Sequence, residues 1–355
     1  VTDIHFVIPG DLDTLTGGYI YARRMIAELR AAGHRVSVHR LSDSFPLPTP
    51  DALAQAADTL EGLETGAMVV IDGLAFGAMP EIVHRASARL RLIALVHHAL
   101  ADETGLDPLT RDRLFRDERA ALAAAHRVIV TSPVTARDLA RYDVPAERIG
   151  VVLPGTDPAP LAIGSPGPER RLLCIATLTP RKGHAVLVRA LAKVPELPWR
   201  LLCAGSETRD PETAATVRAL IAELGLERRI DLVGEAVGER LDALYHGADL
   251  FVLASHLEGY GMALAEALAR GLPIVSTTGG AIPETVPADA GLLVPPGDAD
   301  AFAAALRRVF EEKGLWARLA AGARRAREAL PTWPETARRF AAEIAGQPGS
   351  GLESR

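Results

Sequence analysis

Residues 249–284 read DLFVLASHLEGYGMALAEALARGLPIVSTTGGAIPE. DLFVLAS is an apolar run of strand length that ends at Ser255. A loop with glycines on both sides of Tyr260 follows, Glu258-Gly259-Tyr260-Gly261, and a helix is expected from about Met262. A loop that feeds a helix N-terminus from the carboxyl end of a strand exposes free backbone N–H groups. Those groups and the helix dipole favour phosphate, and Gly259 and Gly261 let the backbone approach it closely. Glu266 lies one turn into the helix, where a carboxylate can accept from a ribose diol.

The same alternation runs outward in both directions. Upstream strand candidates are IHFVIPG (4–10), RVSVHRL (35–41), AMVVIDG (67–73), LRLIALVHH (90–98), HRVIVTS (126–132) and IGVVLPG (149–155), with helical segments between most of them. After the Pro- and Gly-rich stretch 157–168, which reads as a linker, six more follow: RRLLCIAT, WRLLCAGS, RIDLVGE, DLFVLAS, LPIVSTT and GLLVPPG. This predicts an α/β chain of two doubly wound, Rossmann-like domains, 1–160 and 161–330. TWPETARRFAAEIA predicts a terminal helix within 331–346, and 347–355 is expected to be a disordered tail.

Bulk properties narrow the function. The chain has 355 residues, long enough for two cores, and a net charge of −6, which argues against nucleic acid as the main partner. Cys174 and Cys203 each sit in an apolar run, so buried thiols are expected rather than a disulfide or a metal site. No apolar run is long enough to span a bilayer, and the first strand begins almost at Val1, so a cytoplasmic protein is expected. Arg23, Arg24, Arg30 and Arg35 form a modest basic face, which leaves peripheral membrane contact open beside the plainer reading of a solvated helix face.

Glu258 and Glu266 stand with seven residues between them, and this spacing resembles the E-x7-E motif of retaining GT-B glycosyltransferases of family GT4. The flanking GADLFVLAS, ALARGLPIVSTTGG and PAD-AGLLVPPGD are similar to that family as well. The resemblance covers nearly the whole chain and is strongest over 170–310. It implies a cleft between the two domains, with a nucleotide-sugar donor on the second and an acceptor on the first. Glu258 would contact donor-sugar hydroxyls. The backbone of Gly259, Tyr260, Gly261, Met262, Ala263 and Leu264 would hold sugar and diphosphate. Glu266 would bind the ribose, and Gly234, at the end of RIDLVGE, joins the donor-binding set. Glu284 in the GGAIPE loop stays between a site acid and an exposed one.

ATLTPRKGH (176–184) sets Arg181 and Lys182 beside Gly183 at a second helix entrance. Two fixed cations can neutralise a departing diphosphate without a divalent metal. The family's equivalent stretch reads G-R-x-x-x-x-K-G; Lys182-Gly183 match its end, but Ala176-Thr177 stand where Gly-Arg is expected. Arg181 is expected to take over part of that charge. Thr16-Gly17-Gly18 resembles the family's N-terminal glycine loop, whose amides could approach a phosphate or the acceptor, and Gly17 and Gly18 are placed in the donor-binding set. In His97-His98 the register favours His97 as the residue facing the donor sugar, with His98 as the alternative. No further ligand lies near the pair, so no metal is expected. Ser132, Gly155 and Asp157 are read as shaping the hinge and cleft floor, and Asp102, Glu103 and Asp107 as a solvated acidic loop.

The implied activity is metal-independent, retaining transfer from a nucleoside-diphosphate sugar, with UDP favoured over GDP or ADP on family frequency. The acceptor class, whether small molecule, glycan or lipid-linked, is not encoded visibly. No bound cofactor is implied. The alternatives are a sugar-nucleotide epimerase of the same fold and a nucleotide-sugar-binding protein without turnover.

Overall fold

The computed structural model describes residues 2–346; the tail expected over 347–355 lies outside the described residues. The chain divides into two compact units. One comprises Val1–Gly155 with Pro331–Arg355, the other Thr156–Leu330.

The first unit is built on β1 (Asp3–Pro9), β2 (Arg35–Leu41), β3 (Met68–Asp72), β4 (Arg91–Val96), β5 (Arg127–Val130) and β6 (Ile149–Val151), ordered β2-β1-β3-β4-β5-β6. All pairings are parallel. β3 is buried at every position and β4 at all but its first. Their unbroken apolar runs are what a parallel sheet covered on both faces requires. Val69, Ile71, Phe76, Leu92 and Val128 lie in one core layer. On the other face, helix Gly17–Ala31 buries Tyr21, Met25, Ile26 and Leu29. The basic residues of that helix and its exit are engaged inside the unit: Arg23 donates to the Leu12 carbonyl, Arg24 lies over Trp333, Arg30 donates to Val36, and Arg35 pairs with Asp3.

Helix Trp333–Ile344 belongs to this first unit. Thr332 and Glu335 form a capping box at its start, with Pro334 in its first turn. Phe340 stacks on Phe6 with ring centroids 6.0 Å apart. The Thr336 hydroxyl donates to the Leu153 carbonyl at 2.9 Å, and Arg127 Nε donates to Glu343 at 2.9 Å. A side chain at Gly155 would run into the Trp333 backbone at 2.5 Å, so glycine is required where the helix start crosses.

The second unit repeats the architecture with β7 (Arg170–Ile175), β8 (Trp199–Ala204), β9 (Ile230–Leu232), β10 (Leu250–Leu253), β11 (Ile274–Thr277) and β12 (Gly291–Val294), ordered β12-β11-β10-β7-β8-β9 and again parallel. The stretch expected as a linker is laid along this unit: Ala162 N–H donates to the Arg270 carbonyl, Ile163 N–H to His246, and the Ser165 hydroxyl to Asp249. The division therefore falls at 155/156. No described helix is long and apolar enough to cross a membrane.

Replacing Phe340 by Ala is expected to lower the stability of the first unit by about 3–5 kcal/mol, the usual loss for a buried aromatic ring. Hydrogen exchange of the β1 amides measures it, and a loss under about 1 kcal/mol would show that the terminal helix does not hold that face.

Candidate functional site

In each sheet the chain starts in the middle and works outward in both directions, so one pair of neighbouring strands sends its following loops to opposite faces. In the second unit that pair is β7 and β10. In open α/β sheets, ligands bind in the crevice at the carboxyl ends of such strands. The loops leaving β7 and β10 carry Arg181-Lys182 and Glu258–Gly261.

The two loops are joined through Glu258. Its Oε1 accepts from Lys182 Nζ at 2.6 Å and from the Ser255 hydroxyl at 2.6 Å. Arg181 lies 3.8 Å from its Oε2. Burial pushes the Glu258 carboxyl up, but Lys182, Arg181 and Ser255 outweigh it and hold the group below its ordinary value. Burial also lowers the Lys182 pKa, with the Glu258 charge acting against that shift. Arg181 donates to the Leu257 carbonyl at 2.9 Å, and its own carbonyl accepts from His256 N–H at 2.7 Å. Arg181 thus braces the β10 loop as well as adding charge.

Glycines permit this close approach. Gly183 has φ +66°, and a Cβ there would meet the Ala254 carbonyl at 2.0 Å. Gly280 has φ +60° and bridges Glu258, whose carbonyl accepts from Ala281 N–H at 2.8 Å. Helix Met262–Ala269 starts from Gly261 at φ +91° with no side-chain cap. Leu264 is fully buried and its N–H bonds the Gly261 carbonyl, so the amides of Met262 and Ala263 are the ones at the helix mouth. Gly259 is half-buried and Tyr260 is buried, the latter's carbonyl accepting from Thr285.

Glu266 is half-buried and accepts from the Tyr245 hydroxyl at 2.9 Å. Arg270 lies over the Tyr245 ring at 4.3 Å. Burial raises the Glu266 pKa, and Tyr245 and Arg270 counter it only in part. Gly234 follows β9 with φ +70°, its carbonyl accepting from Gly205 N–H, and the space beside it is open. Glu284 is exposed on the short helix Ile282–Thr285.

In the first unit, the strands whose loops part are β1 and β3. Helix Gly17–Ala31 opens directly at the glycine pair; Gly17 is exposed, and a Cβ on Gly18 would lie 3.2 Å from His97 Nε2. His98 turns elsewhere, 3.4 Å from Glu103, so His97 is the histidine against the glycine loop. Asp72, at the end of β3, is buried 3.8 Å from His97 Nε2, a nitrogen with no hydrogen-bond partner. Burial pushes the Asp72 carboxyl up to about 6 and, with His98, pushes His97 down to about 4. Ser132 caps helix Pro133–Asp138, Asp107 caps helix Pro108–Ala123, and Asp102 pairs with Arg141.

Sequence reading did not single out Asp72, Ser255 or Tyr245. Asp72 ends an apolar strand and Ser255 follows one, so both were open to detection by position; Tyr245 lies in the last turn of helix Gly238–His246 with no local signal.

The description "Glycosyl transferases group 1" matches residues 160–326, and "Glycosyltransferase Family 4" matches 16–160. D-inositol 3-phosphate glycosyltransferases are similar in sequence. That of Thermobispora bispora is 32% identical over 243 residues, 63% of this chain and 56% of the relative. That of Nocardioides sp. is 33% identical over 270 residues, 68% of this chain and 57% of the relative. The chain spans about half the length of the curated relatives it matches. Two solved structures share the fold. Sucrose-phosphate synthase from Thermosynechococcus elongatus has a TM-score of 0.82 at 23% identity, covering 96% of this chain and 98% of its own. Anabaena Alr3699/HepE, in complex with UDP and glucose, has a TM-score of 0.76 at 18% identity, covering 97% and 100%.

The Asp72–His97 pair gives a pH signature with a definite sign. Between about pH 3.8 and 6, native Asp72 keeps a proton that the unfolded chain has released, so this group's contribution to stability falls as pH rises. His97 behaves oppositely: between about 4 and 6.5 the unfolded chain is protonated and the native one is not, so stability rises with pH. The two contributions nearly cancel in the native protein. D72N removes one of them, and relative to wild type it should gain stability as pH rises from 4 to 6.5, by on the order of 2–3 kcal/mol. Exchange of the β3 and β4 amides across that range reads the difference, and a flat difference would contradict a protonated Asp72.

Proposed function

We propose that this chain, which belongs to glycosyltransferase family 4 (group 1), transfers a sugar from a nucleoside-diphosphate sugar to an acceptor hydroxyl, with UDP as the favoured nucleotide. The observation that carries this reading is Lys182 held 2.6 Å from Glu258 beside an uncapped helix N-terminus, between the loops of β7 and β10. The complex of the Anabaena structure with UDP and glucose supports the choice of nucleotide.

In this reading the diphosphate lies at the Met262 and Ala263 amides, and Lys182 faces its leaving oxygen. Glu266, raised in pKa yet fixed by Tyr245, accepts from the ribose hydroxyls. Glu258, kept ionised by its cations, accepts from hydroxyls of the sugar. As the bond from the anomeric carbon to the phosphate oxygen breaks, negative charge grows on the diphosphate. A positioned ammonium and oriented amides stabilise that charge without reorganising. The acceptor hydroxyl bonds the anomeric carbon on the face the diphosphate leaves, and its proton passes to the departing phosphate oxygen. Configuration is retained, and the protein's own cations do the work of a metal. The first unit is assigned the acceptor side.

K182A should lower kcat about 10²-fold or more, the scale of losing a charge partner of the transition state. The assay follows nucleotide release from a panel of nucleotide sugars with acceptors, and kcat within threefold of wild type would remove Lys182 from the site. E266A should weaken nucleoside-diphosphate binding by about 1.5–3 kcal/mol, as for hydrogen bonds to a charged group. Calorimetry with unchanged affinity would end that assignment.

A further inference from the structure

Beneath the Lys182–Gly183 turn lies a second polar cluster with no part in the reaction above. Cys174 on β7 and Cys203 on β8 are register partners across the parallel ladder, so their side chains share one face of the sheet. His184, the first residue of helix His184–Ala192, comes down onto the same spot. All three are at most 2% exposed. Their ligand atoms lie within 4.8 Å of one another, with Cys174 Sγ 3.9 Å from His184 Nε2. His184 Nδ1 is buried without a hydrogen-bond partner.

We propose that Cys174, Cys203 and His184 bind one soft, thiophilic cation in three-coordinate geometry, with Cu(I) as the matching ion. Thiolate and imidazole donors select soft metals. With metal–sulfur bonds of about 2.3 Å and metal–nitrogen bonds of about 2.0 Å, a trigonal arrangement sets its donors roughly 3.7–4.0 Å apart. The cluster already sits near that spacing. Zn(II) in structural sites closes its shell with four protein ligands, and among the described residues the group offers three. Binding Cu(I) releases two thiol protons to solvent and involves no change of oxidation state. The resulting centre carries one net negative charge. Since His184 directly follows Gly183, an occupied site would also pin the turn that presents Lys182.

The test is an anaerobic titration of the full chain with Cu(I) against a chromophoric Cu(I) chelator. One equivalent should transfer to the protein, with a thiolate-to-metal charge-transfer band in the near ultraviolet. C174S, C203A and H184Q should each weaken binding by more than the roughly 10–100-fold that loss of a mere supporting partner costs, while circular dichroism checks that each is folded. X-ray absorption of the wild-type complex, which needs no variant, should find two sulfur neighbours and one nitrogen neighbour. Failure to take Cu(I) from the chelator, an oxygen- and nitrogen-only shell, or unchanged affinity in folded C174S would overturn the proposal.

Discussion

The second unit is organised around one buried carboxylate, Glu258. A charge removed from water is costly unless it is paired and hydrogen-bonded. Glu258 meets that demand with Lys182, Ser255 and, at longer range, Arg181. Three of the loop features follow. Gly183 must be left-handed and bare to lie against the Ala254 carbonyl beside Lys182, Gly280 must lack a side chain to bridge Glu258, and Arg181 must hold Leu257 so that the loop stays in place. The result is an ammonium fixed at the carboxyl ends of two neighbouring strands before any ligand arrives, which is the preorganisation that electrostatic catalysis depends on.

The first unit solves a related problem with different chemistry. Its glycine loop also follows the first strand and opens a helix, and it too lies against a titratable side chain. Here that side chain is a histidine whose partner, Asp72, is buried without a cation. Burial drives both groups toward their neutral forms. One architecture therefore supports a cation-paired carboxylate in one unit and a carboxyl–imidazole pair shifted toward its neutral forms in the other. The difference arises because Asp72, at the end of β3, faces the His97 imidazole, which burial holds toward its neutral form, whereas the β7 loop supplies two cations.

All twelve described strands were legible in the sequence because parallel sheets covered by helices bury whole strands, and runs such as MVVID and LFVL carry that requirement in their composition. The glycine-flanked loop and the proximity of Lys182 to a helix start were legible for the same local reason. The joining of Lys182 to Glu258 was not, because it depends on β7 and β10 becoming neighbours, a fact of topology rather than of spacing. Register favours His97 over His98 by analogy; that it lies against Gly18 is again a fact of packing. The residues 157–168 read as a linker because Pro and Gly dominate them, yet backbone groups such as those of Ala162 and Ile163 find fixed partners in the second unit.

Glu258 and Glu266, separated by seven residues, show that equal side chains at a fixed spacing need not form a matched pair. Glu258 sits between cations and is held in its ionised form; Glu266 faces a phenol, and burial raises its pKa. A pair that shared a proton-transfer task would need one group protonated beside the reacting bond and the other ionised across it. Glu266 instead has an oxygen occupied by Tyr245, under the Arg270 guanidinium, and Glu258 has an oxygen occupied by Lys182 and Ser255. Each carboxylate thus has an oxygen already engaged by the protein's own donors. With both carboxylates engaged in this way, the proposed transfer would leave the charge on a departing phosphate to the ammonium and the backbone amides.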